Sequence, residues 1–277
     1  MPVAVVTDSS GMLPADHTGL TVVPLQVIIG EHVLDEGAEG AGPAEVLAAL
    51  AAKKSVSTSR PAPAVLAATY RALAKAGATA IVSVHLSGEL SGTCESARLA
   101  ARDVSVPVDV VDTRAVGPCV GFAALAAASV AAAGGSAEEV AEAAMERADA
   151  SRSYFYVDSL DFLRRGGRIG SAAALLGSAF AVKPLLAIAD GRVVAHERVR
   201  TSARALARLE ALAVEAAGES DVEICVAHLG AEERAADLVA ALAEKVPTAS
   251  MRCGEIGAAV GAHVGPGLIA VCVAPAL

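Results

Sequence analysis

Residues 79–97 read TAIVSVHLSGELSGTCESA. The opening run, Thr79 to Val84, is short and almost wholly apolar, which fits a buried strand. It breaks into small and hydroxyl-bearing residues, Ser87-Gly88 and then Ser91-Gly92-Thr93, before a helical pattern begins at about Glu95. Strand, glycine-containing turn and helix start in that order form a natural anion site. The first N–H groups of a helix lack intrahelical partners and carry the positive end of its dipole. Ser91 and Thr93 add two hydroxyls, and Gly92 gives a ligand close access to the backbone. The expectation is that this loop holds an acidic head group.

Outward from this unit, the first 150 residues alternate strands with helices. Val3 to Thr7 is a strand ending in Thr7-Asp8-Ser9-Ser10-Gly11, and Val106 to Asp112 is another ending in acid and hydroxyl. Open α/β sheets place ligands at the carboxyl ends of parallel strands, which makes Asp8 and Ser9 site candidates. A cap on the following turn explains them equally well. Leu20 to Ile29 is strand-like and interrupted by Pro24. Pro43–Ala52, Pro63–Ala76 and Val120–Ala133 read as helices, and Ser136-x-x-Glu139 opens a further one with a capping box. Residues 53–63, KKSVSTSRPAP, are polar and proline-bounded, hence a loop carrying Thr58, Ser59 and Arg60. This half is expected to be an α/β domain on a parallel sheet, residues 1–151.

The pattern changes at Ser151. LDFLRRGGRI, residues 160–169, sets Arg164, Arg165 and Arg168 around two glycines, and an apolar helix is expected over Ala172–Phe180. Asp190-Gly191 between two alternating runs predicts a hairpin. A helix (Thr201–Ala217), a strand (Val222–Ala227), a helix (Ala231–Lys245), a glycine-rich loop around His263 and a last strand complete an α+β domain, residues 152–277.

Composition narrows the function. The chain has 31 Asp and Glu against 22 Lys and Arg, a net charge of −9, so it lacks the basic face that nucleic acid requires. Five cysteines with no C-x-x-C pair fit neither a zinc site nor a disulfide framework. The 54% hydrophobic content is dominated by alanine in windows too short for a membrane span, and the N-terminus runs straight into a strand, so the expected location is cytoplasmic. No G-x-x-x-x-G-K-[ST] and no G-x-G-x-x-G after a strand is present, and no cofactor is expected.

Seven signposts in order resemble the DegV family, which includes the fatty-acid-binding subunits of bacterial fatty acid kinase. They are Val6-Thr7-Asp8-Ser9-Ser10, Thr58-Ser59-Arg60-Pro61, Leu90-Ser91-Gly92-Thr93, Val111-Asp112-Thr113, Leu163-Arg164-Arg165-Gly166-Gly167-Arg168-Ile169, Lys183-Pro184-Leu185 and His263-Val264-Gly265-Pro266-Gly267. The resemblance implies two domains with one long-chain fatty acid in an apolar tunnel between them. It implies that Ser91, Thr58 and His263 meet the carboxylate, which is presented to a separate ATP-dependent kinase for acyl-phosphate formation. Arg60 stands where glutamine is common in the family, and Cys94 where an aromatic is common.

The chemistry is coherent without the name. A buried carboxylate needs hydrogen bonds to its ionised form, and an acyl tail contributes about 0.8 kcal/mol per buried methylene. Ile28, Leu175, Leu176, Phe180, Leu185 and Ile188 are candidate tunnel residues, although the pattern fits plain core as well. Arg164, Arg165, Arg168 and Arg200 form a candidate dock for the kinase subunit or for the acyl phosphate, against the alternative of a solvated face. Transient membrane contact would allow lipid exchange. Two rival readings remain: an acyl-ester hydrolase built from Ser91, His263 and Asp8, and a lipid buffer or sensor with no kinase partner.

Overall fold

The computed structural model describes residues 2–14, 16–37, 40–175 and 183–277. The first half runs β1 (Val3–Asp8), β2 (Leu20–Val23), β3 (Gln26–Ile29), β4 (His32–Asp35), α1 (Pro43–Ala51), β5 (Val56–Ser59), α2 (Pro63–Lys75), β6 (Ala80–His85), α3 (Thr93–Ala101), β7 (Val108–Asp112), α4 (Pro118–Ala132) and α5 (Ala137–Ala150). The second half runs β8 (Arg152–Tyr156), α6 (Asp161–Arg165), β9 (Lys183–Ala189), β10 (Arg192–Val199), α7 (Ser202–Ala217), β11 (Val222–His228), α8 (Glu232–Lys245), β12 (Ser250–Glu255), α9 (Ala258–Val264) and β13 (Ile269–Pro275).

A four-stranded parallel sheet of order β2-β1-β6-β7 forms the first layer. Its central strands are apolar on both faces because both are covered. Val5, Val82 and Val84 pack on α4 and α5, whereas Val6 and Ile81, one residue out of phase, pack on α2 and α3. The capping box at Ser136 closes as expected, with Glu139 N–H on Ser136 Oγ and Ser136 N–H on the Glu139 carboxylate. The second layer is a six-stranded mixed sheet, β10-β9-β8-β13-β11-β12, including the hairpin around Asp190-Gly191. The architecture is therefore mixed α/β, a parallel-sheet region followed by a sheet-rich α+β region.

The six-stranded sheet takes its strands from residue 152 onward, yet the interior is continuous across that point. Leu25, Val27, Cys119 and Phe122 share one apolar cluster with Cys225, Ala258 and Cys272. The largely buried helix α4 makes this possible, with Ala123, Ala124 and Ala127 against the parallel sheet and Cys119, Val120 and Phe122 against the other. Its approach to the Ser9–Gly11 turn is backbone on backbone: a Cβ at Gly121 would lie 2.1 Å from the Gly11 carbonyl oxygen.

Five elements differ from the sequence expectation. Val56–Ser59 is not loop but the edge strand of a small antiparallel sheet, β4-β3-β5, in which Thr58 stands opposite Val27. Its polar side chains hid the pairing, which tertiary context supplies. Ser250–Glu255 forms an edge strand parallel to β11, again too polar to read as one. Residues 258–264, taken with the glycine-rich loop, form α9, its start tied to the rest of the fold by Ala259 N–H donating to Glu36 Oε1 at 2.9 Å. Helix α3 also starts two residues before Glu95, at Thr93. Of the helix expected over Ala172–Phe180, the described part, 172–175, lies in a 3-10 turn over Gly170–Leu175; the rest, with Leu176 and Phe180, lies outside the described residues.

Candidate functional site

The carboxyl ends of β6 and β7 face α9 and the six-stranded sheet across a cavity of about 320 Å³, at the low end of the small-ligand range. Its apolar wall includes Leu86, Val116, Phe155, Ile188, Val193 and Val260. Its polar wall consists of Thr58, Ser59, Arg60, Ser91, Gly92, Arg168 and His263. Among the described residues, no Asp or Glu lines it.

The polar groups converge from several elements. Thr58 comes from β5, which the ladder to β3 holds in place. His263 comes from the last turn of α9, and its Nε2 lies 2.7 Å from Thr58 Oγ1. Ser91 stands just ahead of α3; its hydroxyl is 2.9 Å from that of Thr93, which is fully buried behind it. Arg168 leaves the turn after α6 and donates from Nε to the Leu90 carbonyl at 3.0 Å, fixing the loop that carries Ser91. The space beside Gly92 that the sequence left open for a ligand is filled by Arg60, whose Nη1 would meet a Cβ there at 2.0 Å. Arg60 is in turn paired with Glu95 at 2.8 Å, an exposed and therefore weak contact.

Burial pushes His263 down to about 4, and the positive charge of Arg168 adds to the shift. At neutral pH the imidazole is uncharged and can donate one hydrogen bond while accepting another. Gly166 allows it to sit there: a Cβ on residue 166 would lie 2.2 Å from His263 Nδ1. The site thus offers hydroxyls, a neutral imidazole and a guanidinium with no competing acid, an arrangement that accepts a carboxylate.

Asp8 and Ser9 do not line this cavity. Asp8 is fully buried, accepting from Ser10 N–H, from Leu86 N–H at 3.0 Å and from the Ser10 hydroxyl at 2.6 Å, with His85 Nδ1 at 3.0 Å. Burial alone would raise its carboxyl, but these partners, His85 foremost, hold it below the ordinary value. It caps the turn after β1 and anchors the start of the loop that leads to Ser91. Ser9 accepts from Leu25 N–H and bonds the Glu36 carboxylate, which itself holds the start of α9. Both therefore support the site from behind.

The hydrolase constellation does not assemble, since Ser91 bonds Thr93, His263 bonds Thr58 and Asp8 is committed to His85. Of the expected tunnel residues, Ile188 lines the cavity. Leu175 packs on the core cluster beside it, and Leu185 belongs to a separate cluster with α7 and α8. Ile28 does not line it: Val27 and Thr58 pair on one face of their sheet, and Ile28 with Ser57 falls on the other. The four arginines do not form one patch. Arg164 pairs with Asp161 at the surface, Arg165 covers the Phe162 ring at 5.3 Å, Arg168 is in the cavity wall, and Arg200 is exposed after β10.

Known proteins share this architecture. A family model described as an uncharacterised protein of the DegV family matches residues 2–276. A DegV domain-containing protein from Streptomyces coelicolor is 50% identical over 275 residues, with 98% of each chain covered. The structure of a DegV family protein from Thermus thermophilus, described for its fatty acid binding, has a TM-score of 0.92 at 34% identity and covers 100% of both chains. That of DegV from Bacillus subtilis, described as a fatty acid binding protein, has a TM-score of 0.91 at 32% identity, again with 100% of both chains covered.

Proposed function

The chain belongs to the DegV family, and from that premise we propose that it binds one long-chain fatty acid in the cavity between β6, β7 and α9 and presents its carboxylate to a separate ATP-dependent kinase. The observation that carries this reading is the acid-free polar wall of Thr58, Ser91, Arg168 and His263 set against an apolar one. The two structural relatives described as fatty acid binding support it. Each hydrogen bond to the ionised head contributes roughly 1.5–3 kcal/mol, and each buried methylene about 0.8 kcal/mol. Chain length therefore dominates affinity, while the polar wall sets orientation.

In the kinase step a carboxylate oxygen attacks the γ-phosphorus of ATP, forming the acyl phosphate and releasing ADP. This chain contributes the positioned nucleophile; the kinase contributes the nucleotide site. Loading and unloading of the lipid by transient membrane contact belongs to the same proposal. A lipid buffer without a kinase partner uses the same pocket and differs only in the absence of phosphoryl transfer.

Native mass spectrometry of the purified protein, followed by denaturing extraction, tests the binding step. A stoichiometric fatty acid is the expected result. A protein that carries none and takes up none when fatty acid is added overturns the proposal. Acyl phosphate formed on adding ATP and a bacterial fatty acid kinase's ATP-binding subunit would separate the kinase role from that of a buffer.

A further inference from the structure

Glu36 is a partly buried acid that does not line the lipid cavity. Burial drives its carboxyl upward, hydrogen bonds from Ser9 and Ala259 oppose that, and the charge of Asp8 adds to it. The cleft on its open side is lined also by Asp8, His17 and Glu255 and, among the described residues, by no Lys or Arg. A carboxylate set there without a cation is costly unless hydrogen bonds satisfy both of its oxygens.

The two oxygens are divided between two elements. Oε2 accepts from the Ser9 hydroxyl, and Oε1 accepts from the Ala259 N–H at 2.9 Å, in the first turn of α9. A Cβ on residue 257 would collide with the carboxylate, so the glycine there lets Glu36 reach the helix start. Behind it the Leu25 backbone is held twice, its N–H by Ser9 Oγ at 2.9 Å and its carbonyl by the Glu36 N–H at 2.8 Å. Leu25 lines the lipid cavity, and so does His263, about one helical turn along α9 from Ala259. Glu36 thus joins a residue of the apolar wall to the helix that delivers the imidazole.

We propose that Glu36 is a positioning residue for head-group recognition: by gripping the first turn of α9 it sets where His263 stands against Thr58, without touching the ligand. Helix α9 is seven residues long and moves as one piece, so a displacement at its first turn reaches its last. The 2.7 Å contact between His263 Nε2 and Thr58 Oγ1 leaves little tolerance for such a shift. The consequence falls on the carboxylate of the fatty-acid complex proposed above, on which this inference rests.

The test is a double-mutant cycle on the full chain over Glu36→Gln and His263→Ala, with dodecanoate as the ligand. Glutamine keeps the shape but turns an amino group toward one of the two donors. Glu36→Gln is expected to weaken dodecanoate binding about tenfold in the parent and by less than about twofold in the His263→Ala background. Equal losses in the two backgrounds overturn the inference, because Glu36 would then act on the fold and not through His263. Unchanged affinity overturns it as well. A second readout needs no ligand: the His263 imidazole is titrated by NMR in the parent and in Glu36→Gln. Removing a negative charge lowers a histidine's titration point, whereas release from a buried place raises it, here from about 4 toward the ordinary 6.5. A rise is expected; a fall or no change refutes the positioning role. Should Glu36→Gln not fold, Glu36→Asp keeps the charge, falls one methylene short of α9 and enters the same measurements with the same expectations. Failure of dodecanoate to bind the unaltered protein is a different failure, that of the fatty-acid reading, and the titration then decides the positioning alone.

Discussion

His85 and His263 each lie within hydrogen-bond distance of a hydroxyl, and there the likeness ends. His85 is fully buried, its Nδ1 3.0 Å from Asp8 and its Nε2 2.8 Å from Ser83 Oγ, which in turn contacts the Tyr70 hydroxyl at 2.7 Å. Ser83, His85 and Asp8 have the spacing of a hydrolytic triad, but all three are fully buried and none lines the ligand cavity. Among the described residues His263 has no carboxylate partner, only Thr58, a nearby guanidinium and open space on two sides. A closed network gives rigidity; an open one with unspent hydrogen-bonding capacity gives recognition. Access, and the sign of the surrounding charge, separate the two more sharply than geometry does.

The largest effect should come from breaking the closed side. Asp8→Ala removes the acceptor of two backbone N–H groups and leaves His85 without its carboxylate. Urea unfolding should show a loss of about 3–5 kcal/mol, typical of breaking a buried charged network. A loss below about 1 kcal/mol would mean that the network is not structural.

On the open side, Gly166→Ala should drive a methyl group into His263 and displace it from the polar wall. Fatty-acid affinity is expected to fall about tenfold by calorimetry or dye displacement, with a stability cost of about 1–3 kcal/mol from the overpacking. Unchanged affinity would disconnect His263 from the ligand.

The pH dependence sharpens the contrast further. His263 sits at about 4 when folded against an ordinary 6.5, so the unfolded chain binds more protons between those values. The contribution to stability is complete above about pH 6.5 and is lost as pH falls toward 4 and below. Relative to His263→Asn, which does not titrate, the parent protein should lose about 2 kcal/mol between pH 7 and pH 4, a figure reduced for the partial exposure of the ring. Parallel stability curves for the two proteins would show that the imidazole is not desolvated.

The smallest effect is expected from Thr58→Val, which keeps the shape and deletes the hydroxyl. Fatty-acid affinity should weaken about tenfold, the low end of one hydrogen bond to a charged head, with the unfolding midpoint almost unmoved.

The strand–loop–helix unit from Ala80 to Ala101 was legible in sequence because its signals are local: an apolar run, small hydroxyl residues, then helix periodicity. The same holds for Ser91, whose place before α3 follows from that order. Asp8 was ambiguous for a physical reason, since an acid at a strand end serves a ligand or a turn with equal ease, and only the position of His85 decides. His263 was found through its resemblance to a family motif, but its setting was not, because Gly257, Gly261 and Gly265 disguise a seven-residue helix as loop. Arg168 looked equivalent to Arg164 and Arg165 in sequence; what distinguishes it is a bond to Leu90, 78 residues away. Phe155 and Val193 became cavity residues only through the juxtaposition of segments that no local pattern links.

The contact between Gly11 and Gly121 bears on all of this from a distance. Neither glycine lines the proposed lipid cavity, and neither has a side chain to offer any ligand. Yet α4 is the shared spacer of both sheets, so the thickness of one missing methyl group at that crossing sets how far apart the two layers stand. A methyl group at residue 121 would act as a shim: it would widen the gap between the layers and detune a pocket whose own residues were all intact.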